Sequence, residues 1–175
     1  MTKLAKITVS QQKAIAKYAY KIFEEAVAYL TKKYKLKGWI PTIIVDTSQQ
    51  FKTSAGGFQY WNRTPYIILA FHKIDKLDKE GYRYLPEYDS FAGDGEIGTI
   101  TTMNWQKIIA GYTMHELAHA LHWTPGAIPK IKAGLKLDNK TIKDKRPHGP
   151  CWKAIYRDLR IHFVNHLHDR DLAYT

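Results

Sequence analysis

Cysteine is almost missing from this sequence: Cys151 is the only one in 175 residues. A lone cysteine excludes an internal disulfide and any four-cysteine zinc ribbon built from these residues. No apolar run approaches the ~20 residues that a membrane-spanning helix needs, so no membrane association is expected. Met1 to Gln12 contain lysines but no apolar core of a secretory signal, which points to a reducing cytoplasm. Internal repeats and low-complexity tracts are also lacking. With 45% hydrophobic and 25% charged residues, the composition is that of a globular chain and excludes intrinsic disorder. At this length one domain, residues 1–175, can bury ~70% of its unfolded surface without covalent staples. Acids are scarce beside bases, 16 against 27, for a net charge of +11 and a pI near 9.6. Such an excess favours polyanionic partners, nucleic acid first.

Hydrophobic spacing predicts a helix from Gln11 to Tyr34, capped by Ser10 and ended at Lys37-Gly38. Ile15, Ala19, Ile22, Phe23, Ala26 and Leu30 form its buried stripe, and Lys13, Lys17 and Lys21 line another face. Ile40 to Val45 and Tyr66 to Phe71 read as strands. Between them, Ser54-Ala55-Gly56-Gly57 marks a tight backbone before extended structure resumes at Phe58. From Asp75 to Glu96 seven acids face three bases, a local charge of −4 that leaves +15 elsewhere. Its aromatic content predicts that this acidic segment, 75–96, is a packed loop. A second helix is expected from Trp105 to Trp123, stopped by Thr124-Pro125-Gly126. A basic connector follows over 124–147, and a last helix runs from Trp152 to about Leu167. Helix, short strands, helix, helix gives an α+β class.

His115-Glu116-Leu117-Ala118-His119 lies within the second helix. Residues four apart stand one turn apart on the same face, so both imidazoles can reach one metal ion. Glu116 stands one step round, placed to address water rather than to bind the metal. Zinc lowers the pKa of its water, and a carboxylate beside it can take the proton and return it to a leaving amine. Eight histidines and six glutamates would produce this pattern by chance only about 0.01 times. Ile108, Ile109, Tyr112 and Leu121 flank it at helical spacing.

A catalytic zinc takes a third protein ligand and keeps one position open. No glutamate follows Glu116. The three and six positions after His119 hold His122 and Pro125 instead of glycine and histidine. His115, His119 and His122 together span ~10 Å of helix axis, too far for one tetrahedral ion. His148, His162, His166 and His168 remain, with Asp138, Asp144 and Asp158.

HELAH, a variable connector and then His148-Gly149-Pro150-Cys151-Trp152 opening an amphipathic helix resemble the SprT-like (Spartan-type) zinc metallopeptidases. The N-terminal helix, the Ser-Ala-Gly segment at 54–56 and the apolar strand at 66–71 match that family in order. The resemblance implies a zincin-like single domain and one catalytic Zn2+ held by His115, His119 and His148. Glu116 is then the catalytic base, and Trp152 packs behind the site. It also implies hydrolysis of peptide bonds in DNA-associated proteins or DNA–protein crosslinks. Single-stranded or damaged DNA is the implied partner, with a nucleoid-associated location in the cytoplasm. Many family members add a C-terminal cysteine ribbon, which these residues cannot form.

Lys13, Lys17, Lys21, Lys130, Lys132, Lys136, Lys140, Lys143, Lys145 and Arg146 are the candidate phosphate contacts, and Trp61 is a candidate base-stacking residue. Arg157, Arg160 and Tyr156 are candidates for stabilising an oxyanion, while Cys151 reads as a buried thiol. Held near the basic connector, the acidic segment would form a lid that nucleic acid displaces. Two other functions fit the same residues: a zinc peptidase without a DNA link, and a zinc-stabilised nucleic-acid-binding module without turnover.

Overall fold

The computed structural model describes residues 8–46, 56–61, 64–70, 77–143 and 146–170. Ser54, Ala55, Phe71, Asp75, Asp144, Lys145 and the side chains of Phe58 and Trp61, all named above, lie outside what it describes. Helix α1 spans Val9–Tyr34, and its cap is Thr8 rather than Ser10. The reason is reciprocal bonding. Gln11 N–H donates to Thr8 Oγ1 at 3.2 Å, while Thr8 N–H donates to Gln11 Oε1 at 2.8 Å. A capping box needs Glu or Gln three residues after the cap, and Ser10 would have Lys13 there. All six residues of the apolar stripe are buried. The helix ends at Tyr34, three residues before Lys37, because Lys35 turns left-handed (φ 51°) and Leu36 N–H bonds the Thr31 carbonyl.

Strands β1 (Thr42–Asp46), β2 (Gly56–Trp61) and β3 (Thr64–Ala70) form one sheet in the order β1-β3-β2. β3 runs parallel to β1, with Ile43 opposite Ile67, and antiparallel to β2, with Gly56 opposite Leu69. β1 opens at Thr42 rather than Ile40, which is 73% exposed before the ladder begins. Gly56 and Gly57 belong to β2 itself, not to a turn preceding it. Strands β4 (Arg83–Leu85) and β5 (Ile100–Thr102) form a separate antiparallel pair.

Helix α2 (Trp105–His122) begins at Asn104, whose side chain accepts from the Gln106 and Lys107 amides. It is apolar nearly all round, which forces it to the centre of the molecule. It touches α1, both sheets and the last helix. The basic connector is not an open loop: it folds into α3 (Ala127–Leu135) and α4 (Asn139–Lys143). Helix α5 spans Pro150–Phe163, starting at Pro150 rather than Trp152 and stopping short of Leu167. One buried cluster joins all three long helices to the three-stranded sheet and the β4–β5 pair, an α+β arrangement.

Asp158 clamps α5 to α1. Its carboxylate accepts from Lys33 Nζ at 2.6 Å and from the Tyr34 and Tyr29 hydroxyls at 3.0 Å each. A carboxylate engaged by three donors on α1 is a structural group, so Asp158 drops out as a metal ligand.

Candidate metal centre

His115 and His119 reach the same side of α2 because helical spacing brings them there. His148 arrives from the turn before α5, where it adopts φ 60°, a left-handed backbone rare for residues other than glycine. Gly149 and Pro150 then start the helix, proline at its first position losing no needed N–H. The fold thereby closes a gap of 29 residues between His119 and His148. His148 Nε2 stands 2.9 Å from His119 Nε2 and 3.2 Å from His115 Nε2. Ligand atoms of the three residues all lie within 4.8 Å of one another, a set able to hold a metal ion.

Trp152, fully buried one turn into α5, supports all three rings. It stacks on His119 at 4.9 Å and 28°, and meets His148 edge-on at 4.5 Å and His115 at 4.8 Å. Tyr88 covers the outer side of His148, ring centres 4.1 Å apart. Behind His115, Nδ1 lies 3.3 Å from Oε1 of Glu87, a fully buried side chain that also accepts from Tyr156 OH at 2.7 Å.

Glu116 is 8% exposed and borders a cleft of about 340 Å³, together with Gly56, Leu85, Glu87, Tyr112 and His115. Burial pushes its carboxyl up to about 7; the Glu87 charge adds to this and His115 opposes it. Burial first, and then the neighbouring histidines, push His119 down to about 2. Burial, His115 and Lys153 push His148 down to about 4. Both imidazoles are therefore neutral at pH 7, the form that binds metal. A larger cleft of about 890 Å³ between Leu36–Ile40 and Thr124–Ala127 holds no acid, histidine or cysteine.

The remaining candidates go elsewhere. His162, His166 and His168 are exposed, and His162 Nδ1 donates to the Asp158 carbonyl. Asp138 accepts from the Thr141 amide at the start of α4. Cys151 is buried. Arg157 pairs with Asp94 and Glu96, and Arg160 donates to the Gly98 carbonyl and Tyr156 OH, so neither is aimed at the histidines. Those pairs hold Asp94 and Glu96 to α5, while Tyr88 and Ser90 of the same stretch line a cleft with Arg146 and Pro147 at the end of the basic connector. The acidic stretch carries β4 and the buried Glu87, and is part of the site rather than an appendage.

Of the basic residues, Lys13, Lys17, Lys21, Lys130, Lys136, Lys140, Lys143 and Arg146 are exposed, while Lys132 is half-buried and bonded to Asn139. They do not form one stripe along α1. Lys130 reaches the Lys35 carbonyl, fourteen residues and so ~20 Å of helix beyond Lys21. Glu87, Tyr88 and the close approach of Gly56 were beyond sequence reasoning, since contacts across tens of residues leave no periodic trace. Against protein-family models, curated proteins and solved structures, the chain finds no match.

Proposed function

We propose that this chain is a zinc-dependent metallopeptidase with a zincin-like site, of the SprT-like (Spartan-type) kind. The observation that carries the reading is the convergence of three Nε2 atoms at 2.9 and 3.2 Å. Zn–N bonds of 2.0–2.1 Å would give tetrahedral edges of ~3.3 Å, so the donor set suits zinc in spacing and chemistry. Three lone pairs this close repel one another unless a cation or proton lies between them. His115, His119 and His148 would hold the ion. When bound, zinc supplies Lewis acidity, activating water and polarising a carbonyl.

Glu116 is the general base. Its carboxylate faces the cleft beside the histidines without joining them. A carboxyl held at about 7 is partly ionised at neutral pH, suited both to accept a proton from water and to give it to a leaving amine. Leu85 and Tyr112 line the cleft beside that carboxylate, which is itself buried. The net charge of +11 and the exposed lysines on α1, α3 and α4 support proteins attached to DNA as the substrate class. A cytoplasmic, nucleoid-associated location accords with it.

The test is cleavage of a DNA-bound basic protein by zinc-loaded wild type and Glu116→Gln, with and without single-stranded DNA. Wild-type cleavage lost in the variant, with zinc affinity retained, is the expected result. Cleavage indifferent to DNA would keep the peptidase and remove its nucleic-acid partner. DNA binding and zinc uptake without any cleavage would favour a zinc-stabilised binding module.

A further inference from the structure

We propose that Glu87 is a positioning residue for the metal centre, holding the His115 ring in the tautomer that leaves Nε2 free for the ion. The inference rests on the metal-site reading above. An ionised Glu87 can only accept, so its Oε1 takes the Tyr156 hydroxyl proton at 2.7 Å and a proton from His115 Nδ1 at 3.3 Å. A neutral imidazole with its proton on Nδ1 carries its lone pair on Nε2. That is the atom 3.2 Å from His148 Nε2.

Stability alone does not account for this carboxylate. Its side chain is 0% exposed, and Oε2 has no hydrogen-bond partner among the described residues. A buried charge with an unpaired oxygen costs stability, and an apolar or amide side chain of similar size would serve the core better. Besides Tyr156, the side chain that Glu87 touches is His115, a ligand in the metal-site reading. A carboxylate behind a ligating histidine orients the ring and raises its basicity. Tyr156 and Arg160 extend the support: Arg160 Nη1 donates to Tyr156 OH at 3.0 Å and to the Gly98 carbonyl at 3.1 Å. Arg157 ties the same stretch to α5 through Asp94 at 2.5 Å and Glu96 at 2.6 Å. Residues 86–98 thus connect His115 to the helix that carries Trp152, and metal uptake should be felt along them.

The experiment uses the full chain, stripped of metal and titrated with Zn2+ against a chromophoric chelator, and with Co2+ by absorption. Glu87→Gln is expected to bind both ions 10–100-fold more weakly with an altered Co2+ spectrum. The thermal midpoint of its metal-free form is expected not to fall. Hydrogen exchange across 86–98 should slow on Zn2+ addition in wild type and respond less in the variant. Glu87→Asp, whose carboxylate is drawn back by one methylene, serves if the glutamine variant does not fold, with about a tenfold loss expected. Wild-type affinity and spectrum in whichever variant folds, while His119→Ala abolishes uptake, overturn the inference alone. A wild-type protein that takes up neither ion overturns the metal-site reading and this inference with it.

Discussion

A β-carbon built on Gly56 would lie 2.6 Å from Oε1 of Glu116 and 3.0 Å from its Cγ. The first residue of β2 is therefore glycine because the Glu116 side chain occupies the space a methyl group would need. The pair links the sheet to α2 at the one carboxylate assigned to proton transfer. Gly56→Ala is expected to push Glu116 aside and lower kcat about 10–100-fold, the scale of a misplacement approaching 1 Å. Zinc affinity should be unaffected, because Glu116 is not among the converging histidines. Steady-state hydrolysis and a zinc titration on one preparation check this. An unaltered kcat would mean that the contact relaxes without moving the base.

The pH dependence of the metal-free protein follows from two opposing shifts. Folding raises Glu116 from 4.5 to about 7, so the native state holds this proton more tightly than the unfolded chain. The associated stability is full below pH 4.5 and is lost as pH rises towards 7, a total of about 3 kcal/mol. His119 and His148 are shifted down from 6.5, so their contribution is present above pH 6.5. It is lost as pH falls towards about 4 for His148 and about 2 for His119. The two windows overlap between pH 4.5 and 6.5, where two histidines outweigh one glutamate, so metal-free stability should rise to a maximum near pH 6.5 and fall above it. Glu116→Gln should raise the urea midpoint at pH 8 and leave it nearly unchanged at pH 4. An equal effect at both values would refute the burial-driven shift.

Trp152 contacts all three histidine rings and is fully buried, so shrinking it touches both stability and metal binding. Trp152→Phe is expected to cost about 2 kcal/mol through lost burial and a residual cavity. It should also weaken Zn2+ binding several-fold, because His119 loses the surface on which it stacks. Denaturant unfolding of the metal-free protein separates the first effect, and chelator competition reads the second. Loss of stability with full metal affinity would make Trp152 a core residue only.

Much of the scaffold is visible in local patterns. The stripe from Ile15 to Leu30 buries as its 3.6-residue spacing requires, and α2 ends within a residue of its expected limit because Thr124-Pro125-Gly126 cannot continue it. The basic connector hides a helix: Pro129 occupies the third position of α3, where its missing N–H would have no intrahelical partner. The cap of α1 depended on the reciprocal Thr8–Gln11 pair rather than on Ser10 alone. Asp158, open as a ligand by composition, was decided by Lys33 and Tyr34 more than a hundred residues away.

By itself the sequence determined the α+β class, the central helix and the pairing of His115 with His119, because helical period is a short-range property that residue order dictates. It also singled out His148 through a resemblance carried by HGPCW. Only the tertiary structure decided that His148 meets the other two, and that Glu87 from the acidic segment stands behind His115. Only there does Gly56 yield its side-chain space to Glu116. These are contacts between segments separated by 28 to 60 residues. Their geometry is set by how the helices and sheets pack around one core, a constraint on shape that no local pattern records.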